Sequence, residues 1–253
     1  MESQLYLETE VKQNKTYIKD VYFTSPYKIM SPFRTESHID VMLKSASAGL
    51  LDGDTFQGEM VFGQNSDVTF LSQSYEKVFC TKGNGEVKKM SIQVDENAKV
   101  KYLPYPVIPF GGSDFQSETK VNLKKDAVFL YGDIFTCGRT GMGEYFKMKR
   151  YESKTQISVE GKLVFADHTL ILPQSFQYKS LGKWSSYTHN GMLYIHMETK
   201  EQEQRLIETI RNKLQKKVFF GVSAYESGIV VRILSMSGEE IYRIFQEIAD
   251  MVS

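Results

Sequence analysis

Val87-Lys88-Lys89-Met90-Ser91-Ile92-Gln93-Val94 runs into Asp95-Glu96-Asn97, and a new run opens at Val100-Lys101-Tyr102-Leu103. Val87, Met90, Ile92 and Val94 are the apolar members of the first run. Such near-alternation sends one set of side chains to a core and the other to solvent or a second sheet, and the polar tripeptide turns the chain between two strands. The same grammar extends in both directions up to about residue 172. Val41 and Leu43 alternate with Met42 and Lys44, and Val68, Phe70 and Ser72 with Thr69, Leu71 and Gln73. Asp52-Gly53-Asp54, Gly63-Gln64-Asn65, Gly83-Asn84-Gly85, Gly111-Gly112 and Glu160-Gly161 punctuate the runs with residues that tolerate positive φ. Many short strands between closely spaced turns read as a sandwich, a barrel or a β-solenoid, and no strict repeat selects the solenoid. Pro104, Pro106 and Pro109 are too dense for a central strand, so 104–113 is expected to be an extended loop or edge segment.

The pattern changes after about residue 185. Met192–Met197 reads as a strand. From Glu201 to Lys217, Leu206, Ile210 and Leu214 recur every fourth residue beside Ile207, which predicts an amphipathic helix. Lys213, Lys216 and Lys217 suit the negative pole at its end. Val218–Ala224 and Ile229–Leu234 predict a hairpin around Glu226-Ser227-Gly228. A second helix should start at Ser237 as N-cap and bury Ile241, Ile244, Phe245 and Ile248. The expected architecture is mainly β: a β-helical or layered β body over 1–175, and a small β-α-β-β-α part over 176–253 that carries two helices. The two parts should pack as one compact unit.

The chain has 253 residues, 41% of them hydrophobic, enough for a substantial core. Its Lys plus Arg and Asp plus Glu both number 31, so net charge gives no basis for nucleic-acid binding. Cys80 and Cys137 stand too far apart for a metal knuckle and read as reduced thiols. The amino terminus has no apolar signal segment, and no apolar run approaches the roughly 20 residues a bilayer requires, so a soluble, cytoplasmic protein is expected.

Catalytic motifs are missing. There is no Gly-x-Ser-x-Gly elbow, and Gly138-Arg139-Thr140-Gly141-Met142-Gly143 lacks the Lys-Ser/Thr of a phosphate loop. Asp167 and His168 should point to opposite faces of a strand. His189 and His196 could approach one another if Asn190-Gly191 turned, which makes them weak metal candidates without a third ligand; no preformed metal site is expected. Carboxylates are more informative. Asp52 and Asp54 flank a glycine, and Asp133 interrupts the apolar run from Ala127 to Phe135, where an acid is costly unless paired, hydrated or bound to a cation. Asp133 could pair with Arg139 at a bend. Paired acids would also serve glycoside hydrolysis.

Several ordered segments carry a specific likeness. They are Ser25-Pro26-Tyr27-Lys28-Ile29-Met30-Ser31-Pro32-Phe33, Leu51-Asp52-Gly53-Asp54, Leu71-Ser72-Gln73-Ser74 with Lys77-Val78-Phe79, Tyr102-Leu103-Pro104-Tyr105-Pro106-Val107-Ile108-Pro109-Phe110, Tyr131-Gly132-Asp133-Ile134, and Gly138-Arg139-Thr140-Gly141-Met142-Gly143-Glu144-Tyr145-Phe146. Together they resemble the urease accessory family called UreD in many bacteria and UreH in some, over nearly the whole chain. Three positions depart from the family pattern: Cys137 stands where proline is frequent, and Tyr75-Glu76 replace a small residue and threonine.

The resemblance implies a non-catalytic, cytoplasmic chaperone of urease. It would bind the urease apoprotein and UreF, reach the GTPase UreG through UreF, and support nickel delivery along a polar internal passage. No cofactor would be permanently bound, and nickel(II) would be transient. Carboxylates and water release such an ion more readily than a thiolate or imidazole cage. Asp54, Glu76, Asp133 and Glu144, with Arg139 orienting a carboxylate, are the expected lining. Tyr102, Tyr105 and Phe110 are expected partner contacts; the helix at Glu201–Lys217 is a further candidate, and packing of its stripe on the β body explains it equally well. A carbohydrate-active β-solenoid enzyme and a pure protein-binding module are the alternatives.

Overall fold

The computed structural model describes residues 1–253 except 176, 179, 181, 182, 198, 216, 217 and 253. The chain opens with a hairpin of β1 (Glu2–Lys12) and β2 (Lys15–Phe23), then β3 (Tyr27–Ile29), β4 (Phe33–Thr35) and β5 (His38–Ser45). It next winds through β6 (Thr55–Phe62), β7 (Asp67–Ser72) and β8 (Glu76–Val78), and again through β9 (Glu86–Val94), β10 (Lys99–Leu103) and β11 (Val107–Pro109). A further circuit comprises β12 (Asp114–Leu123) and β13 (Val128–Thr136), before the hairpin of β14 (Arg150–Val159) and β15 (Lys162–Ile171). The C-terminal part is β16 (His189–His196), α1 (Lys200–Leu214), β17 (Phe219–Tyr225), β18 (Gly228–Ser235) and α2 (Gly238–Ala249).

Strands β6, β9 and β12 pair in parallel on one wall, and β7, β10 and β13 in parallel on another, so the chain returns to the same wall once per circuit. That is the connectivity of a solenoid. The first wall is a seven-stranded sheet ordered β15-β14-β12-β9-β6-β1-β2. The second runs β17-β18-β16-β13-β10-β7-β5-β3. Phe56, Lys88, Ser117 and Ser153 are register neighbours across the first wall, and the unequal spacing of those numbers explains why no strict repeat shows in the sequence.

Two expectations change. The proline-rich segment carries a short strand: β11 lies parallel to β8 and forms a narrow third wall, with the Phe110 amide donating to the Val78 carbonyl. Pro109 is tolerated because it ends that strand. Asn190-Gly191 does not turn but lies within β16, so His189 and His196 occupy opposite ends of one strand and cannot meet. The second helix begins at the Ser237 N-cap as expected, and Thr199 caps the first. The first helix ends at Leu214; Lys216 and Lys217 lie outside the described residues.

Sheet pairing crosses the boundary near residue 175, since β16 joins β13 antiparallel. Both helices pack on the outer face of this second wall, burying Leu130, Ile134, Leu193 and Ile195 against Leu206, Ile210, Ile241 and Phe245. Strand β13 is thus covered on both faces, which gives the continuous apolar run that Asp133 interrupts. Gly132 and Gly191 let α2 approach: a Cβ on Gly191 would lie 2.4 Å from Ile241 Cγ2. The stripe of α1 is spent on this packing, so it is not available to a partner.

Candidate functional site

The interior of the solenoid divides by row. Alternation brings Leu7, Met60, Ile92, Val121 and Ile157 to one level of the first wall, all buried. The level containing Gly58, Met90, Thr119 and Thr155 is mixed, and that of Phe56, Lys88, Ser117 and Ser153 is largely polar. On the facing wall, Phe70, Tyr102 and Tyr131 stack with centroids 5.1 and 5.4 Å apart, and Asp133 follows two residues on. Between the polar rows and the third wall lies a cavity of about 190 Å³, lined by Glu76, Lys88, Asp133, Tyr27, Tyr131 and Ser117 among others.

Lys88 Nζ donates to both oxygens of Glu76, at 2.8 and 3.1 Å, and lies 5.6 Å from the Phe56 ring centroid. Burial alone would push its pKa down, but the Glu76 carboxylate outweighs it and holds the ammonium above its ordinary value. Asp133 accepts a hydrogen bond from Ser153 Oγ at 3.0 Å. Its surroundings push it up to about 6, chiefly by burial, with the Ser153 bond acting in the opposite direction. It is partly buried and lines the cavity. Tyr131 OH donates to Thr119 Oγ1 at 3.2 Å, and burial raises the phenols of Tyr27, Tyr102 and Tyr131 beyond titration at ordinary pH.

Of the expected lining residues, Glu76 and Asp133 meet in this cavity and the other three do not. Asp54 is held at a turn by the Met1 ammonium, 2.7 Å away, and by the Leu51 amide. Arg139 does not pair with Asp133. It forks onto Glu144, with Nε 2.7 Å from Oε2, on the loop after β13 and holds that carboxyl at about 2, while Glu144 also accepts the Gly111 amide. Arg139 thus orients a carboxylate, but a loop carboxylate outside the cavity lining.

Among the expected partner contacts, Tyr102 is 5% exposed and stacked inside the solenoid, so it is interior rather than surface: its position shares the inward phase of Val100. Tyr105 is half-buried against Tyr242 at 4.3 Å, and Phe110 sits half-buried between Phe79 and the Arg139 guanidinium. His189 bonds Thr188 Oγ1 and is pushed down by burial, while His196 hydrogen-bonds around Ser227. Asp167 and His168 do face apart, toward Arg232 and Glu152 respectively. Among the described residues, no three His, Cys, Asp or Glu side chains are grouped to hold a metal.

The residues missed by sequence reasoning are Lys88, Ser117 and Ser153. Their signal was present: Lys88 shares the phase of Met90, Ile92 and Val94, and Ser117 that of Val121 and Leu123.

The class the structure defines is a parallel β-solenoid with a polar internal chamber and an α/β flank. Comparison with known proteins narrows this. The family described as UreD urease accessory protein matches residues 1–253. The chain is 32% identical to the urease accessory protein UreD of Acetivibrio thermocellus over 99% of its own length and 97% of that protein. It is 30% identical to UreD of Flavobacterium johnsoniae, covering 98% and 91%. It is 32% identical to UreH of Helicobacter hepaticus, covering 98% and 97%. The chain belongs to the UreD/UreH family, a family of urease accessory proteins rather than enzymes. No helix among the described residues is long and apolar enough to cross a membrane.

Proposed function

We propose that this protein is a cytoplasmic scaffold that binds urease apoprotein and UreF, reaches UreG through UreF, and passes nickel(II) toward the urease active site by way of the polar cavity. The observation that carries the reading is the chamber itself. Two carboxylates, Glu76 and Asp133, and several hydroxyls converge inside an otherwise apolar solenoid. Oxygen ligands suit an ion that must move on, because they bind nickel less tightly than thiolates or clustered imidazoles. Glu76 is already neutralised by Lys88, so Asp133 is the acid best placed to meet a cation, and the ion is cargo rather than a resident group.

The test is Asp133→Ala, co-expressed with urease and the other accessory proteins. The expected result is co-purification of the complex at normal yield with a reduced nickel content of urease, measured by elemental analysis. Unchanged nickel content would overturn the passage role of Asp133. Loss of co-purification would instead assign the acid to the fold.

A further inference from the structure

Glu86 opens β9 one level beyond Lys88, in register with Phe115 and, through it, Tyr151. It is fully buried, and neither carboxylate oxygen has a hydrogen-bond partner. The charged groups that act on it are two acids, Asp52 from the loop before β6 and Asp114 from β12. Neighbouring cations are committed elsewhere: Arg150 of β14 pairs with Asp114 at 2.7 Å, and Lys149 Nζ donates to the Thr81 carbonyl at 2.7 Å. Lys82 presents its backbone amide to Asp52, and its side chain is on the exposed turn. A buried carboxylate that no donor meets at hydrogen-bond geometry, that only its own and the Asp114 backbone amides favour, and that two acids oppose, is held more readily with a proton on it.

The surroundings give that proton a mechanical role. Asp52 organises the turn before β9, accepting the Thr81 hydroxyl and the amides of Lys82, Asn84 and Gly85 at 3.0, 3.1 and 3.4 Å. Lys82, Gly83 and Asn84 are exposed and Gly85 and Glu86 are buried, so the chain passes from water to the buried carboxylate within this turn. The segment just before Asp52, through Gly49 and Leu50, is part of the cavity wall and is fastened by the Leu50 amide to the Lys77 carbonyl at 2.8 Å.

We propose that Glu86 is a proton-operated latch: neutral, it lets the Asp52 turn close over the start of β9; ionised, it drives that turn open beside the cavity wall. Burial, and then the repulsion of Asp52 and Asp114, push Glu86 up to about 7, and the backbone amides of Glu86 and Asp114 only soften that shift. Closure is therefore favoured at low pH and lost as pH rises through about 7. The latch is independent of the nickel reading.

The experiment is amide hydrogen exchange by NMR on the full-length chain, followed at Asn84 and Gly85 and corrected for intrinsic exchange. With an ordinary carboxylate in the open state, the opening equilibrium should rise about tenfold between pH 6 and 8 in the native protein, and stay flat in Glu86→Gln. An equal pH response in both proteins would overturn the latch. A second measurement needs no variant: the side-chain carboxyl carbon of Glu86 should titrate near neutrality in the native protein. A midpoint in the ordinary carboxylate range would overturn the proposal even if the variant failed to fold.

Discussion

The two ends of the solenoid interior are built by the same strands in the same register, yet they obey different chemistry. At one end Leu7, Met60, Ile92, Val121 and Ile157 are buried together in one apolar cluster. At the other, four residues back along the same strands, Lys88 and Ser117 share a cavity with Asp133 and Glu76, and Ser153 hydrogen-bonds Asp133. Local propensity cannot produce this difference, because all these positions are strand positions with inward phase. What changes is only the side chain placed there. The apolar end supplies stability through burial, and the polar end uses part of that stability to hold groups that would be cheaper in water.

The largest expected effect lies at the apolar end. Ile92→Ala, at a position with no exposure, should cost about 4 kcal/mol in urea unfolding through lost burial and an unfilled cavity. At the polar end, Lys88→Met should cost about 3 kcal/mol, because Glu76 would be left as an uncompensated, partly buried charge. The contrast sharpens in the double variant Lys88→Met/Glu76→Gln, which should recover to within about 1 kcal/mol of the native protein, since neither partner is then stranded. Pairing Ile92→Ala with Val121→Ala offers no such relief and should leave the protein less stable than either single change. Recovery at both ends, or at neither, would erase the distinction.

Asp133 offers a smaller test with a definite sign. Its pKa is raised by burial, so its contribution is most favourable at low pH and is lost as pH rises through about 6. Asp133→Asn should match the native protein at pH 4 and exceed it by about 2 kcal/mol at pH 8, measured as the pH dependence of the urea midpoint. A flat difference across that range would show that the cavity hydrates Asp133 as well as bulk water does.

Much of this was legible in the residues. The alternation through Met90, Ile92 and Val94, the turn residues, and the two helical stripes with the Ser237 boundary all report local periodicity, and the fold follows them, while the Thr199 cap of the first helix emerges only from the structure. The solenoid was harder, because parallel pairing joins strands a whole circuit apart and circuits of unequal length leave no fixed repeat. Asp133 could be flagged because a charge in an apolar run is conspicuous. Lys88 could not be weighed that way: with Lys89 beside it, it reads as half of a solvated pair, and only the phase of the downstream apolar residues shows that one lysine points in and the other out. The pairing of Arg139 with Glu144 rather than Asp133 depends on a loop whose path no periodicity encodes.

That loop supplies the weakest expected effect and the boundary of the comparison. Arg139 and Glu144 form a well-aligned fork, as Lys88 and Glu76 do, and the Arg139 guanidinium also covers the Phe110 ring at 4.3 Å. The difference is solvent: the Arg139 side chain is 38% exposed and that of Lys88 18%. Both carboxylates are 18% exposed, so the contrast lies in the cations: removing the more exposed guanidinium admits water to Glu144, whereas removing Lys88 leaves Glu76 facing the enclosed chamber. Arg139→Ala should therefore cost only about 0.5 kcal/mol, and added salt should shrink the difference further. If Arg139→Ala proved as costly as Lys88→Met, then alignment of the ion pair, rather than its enclosure by the solenoid, would set its worth, and the polar chamber would lose its claim to be a distinct environment.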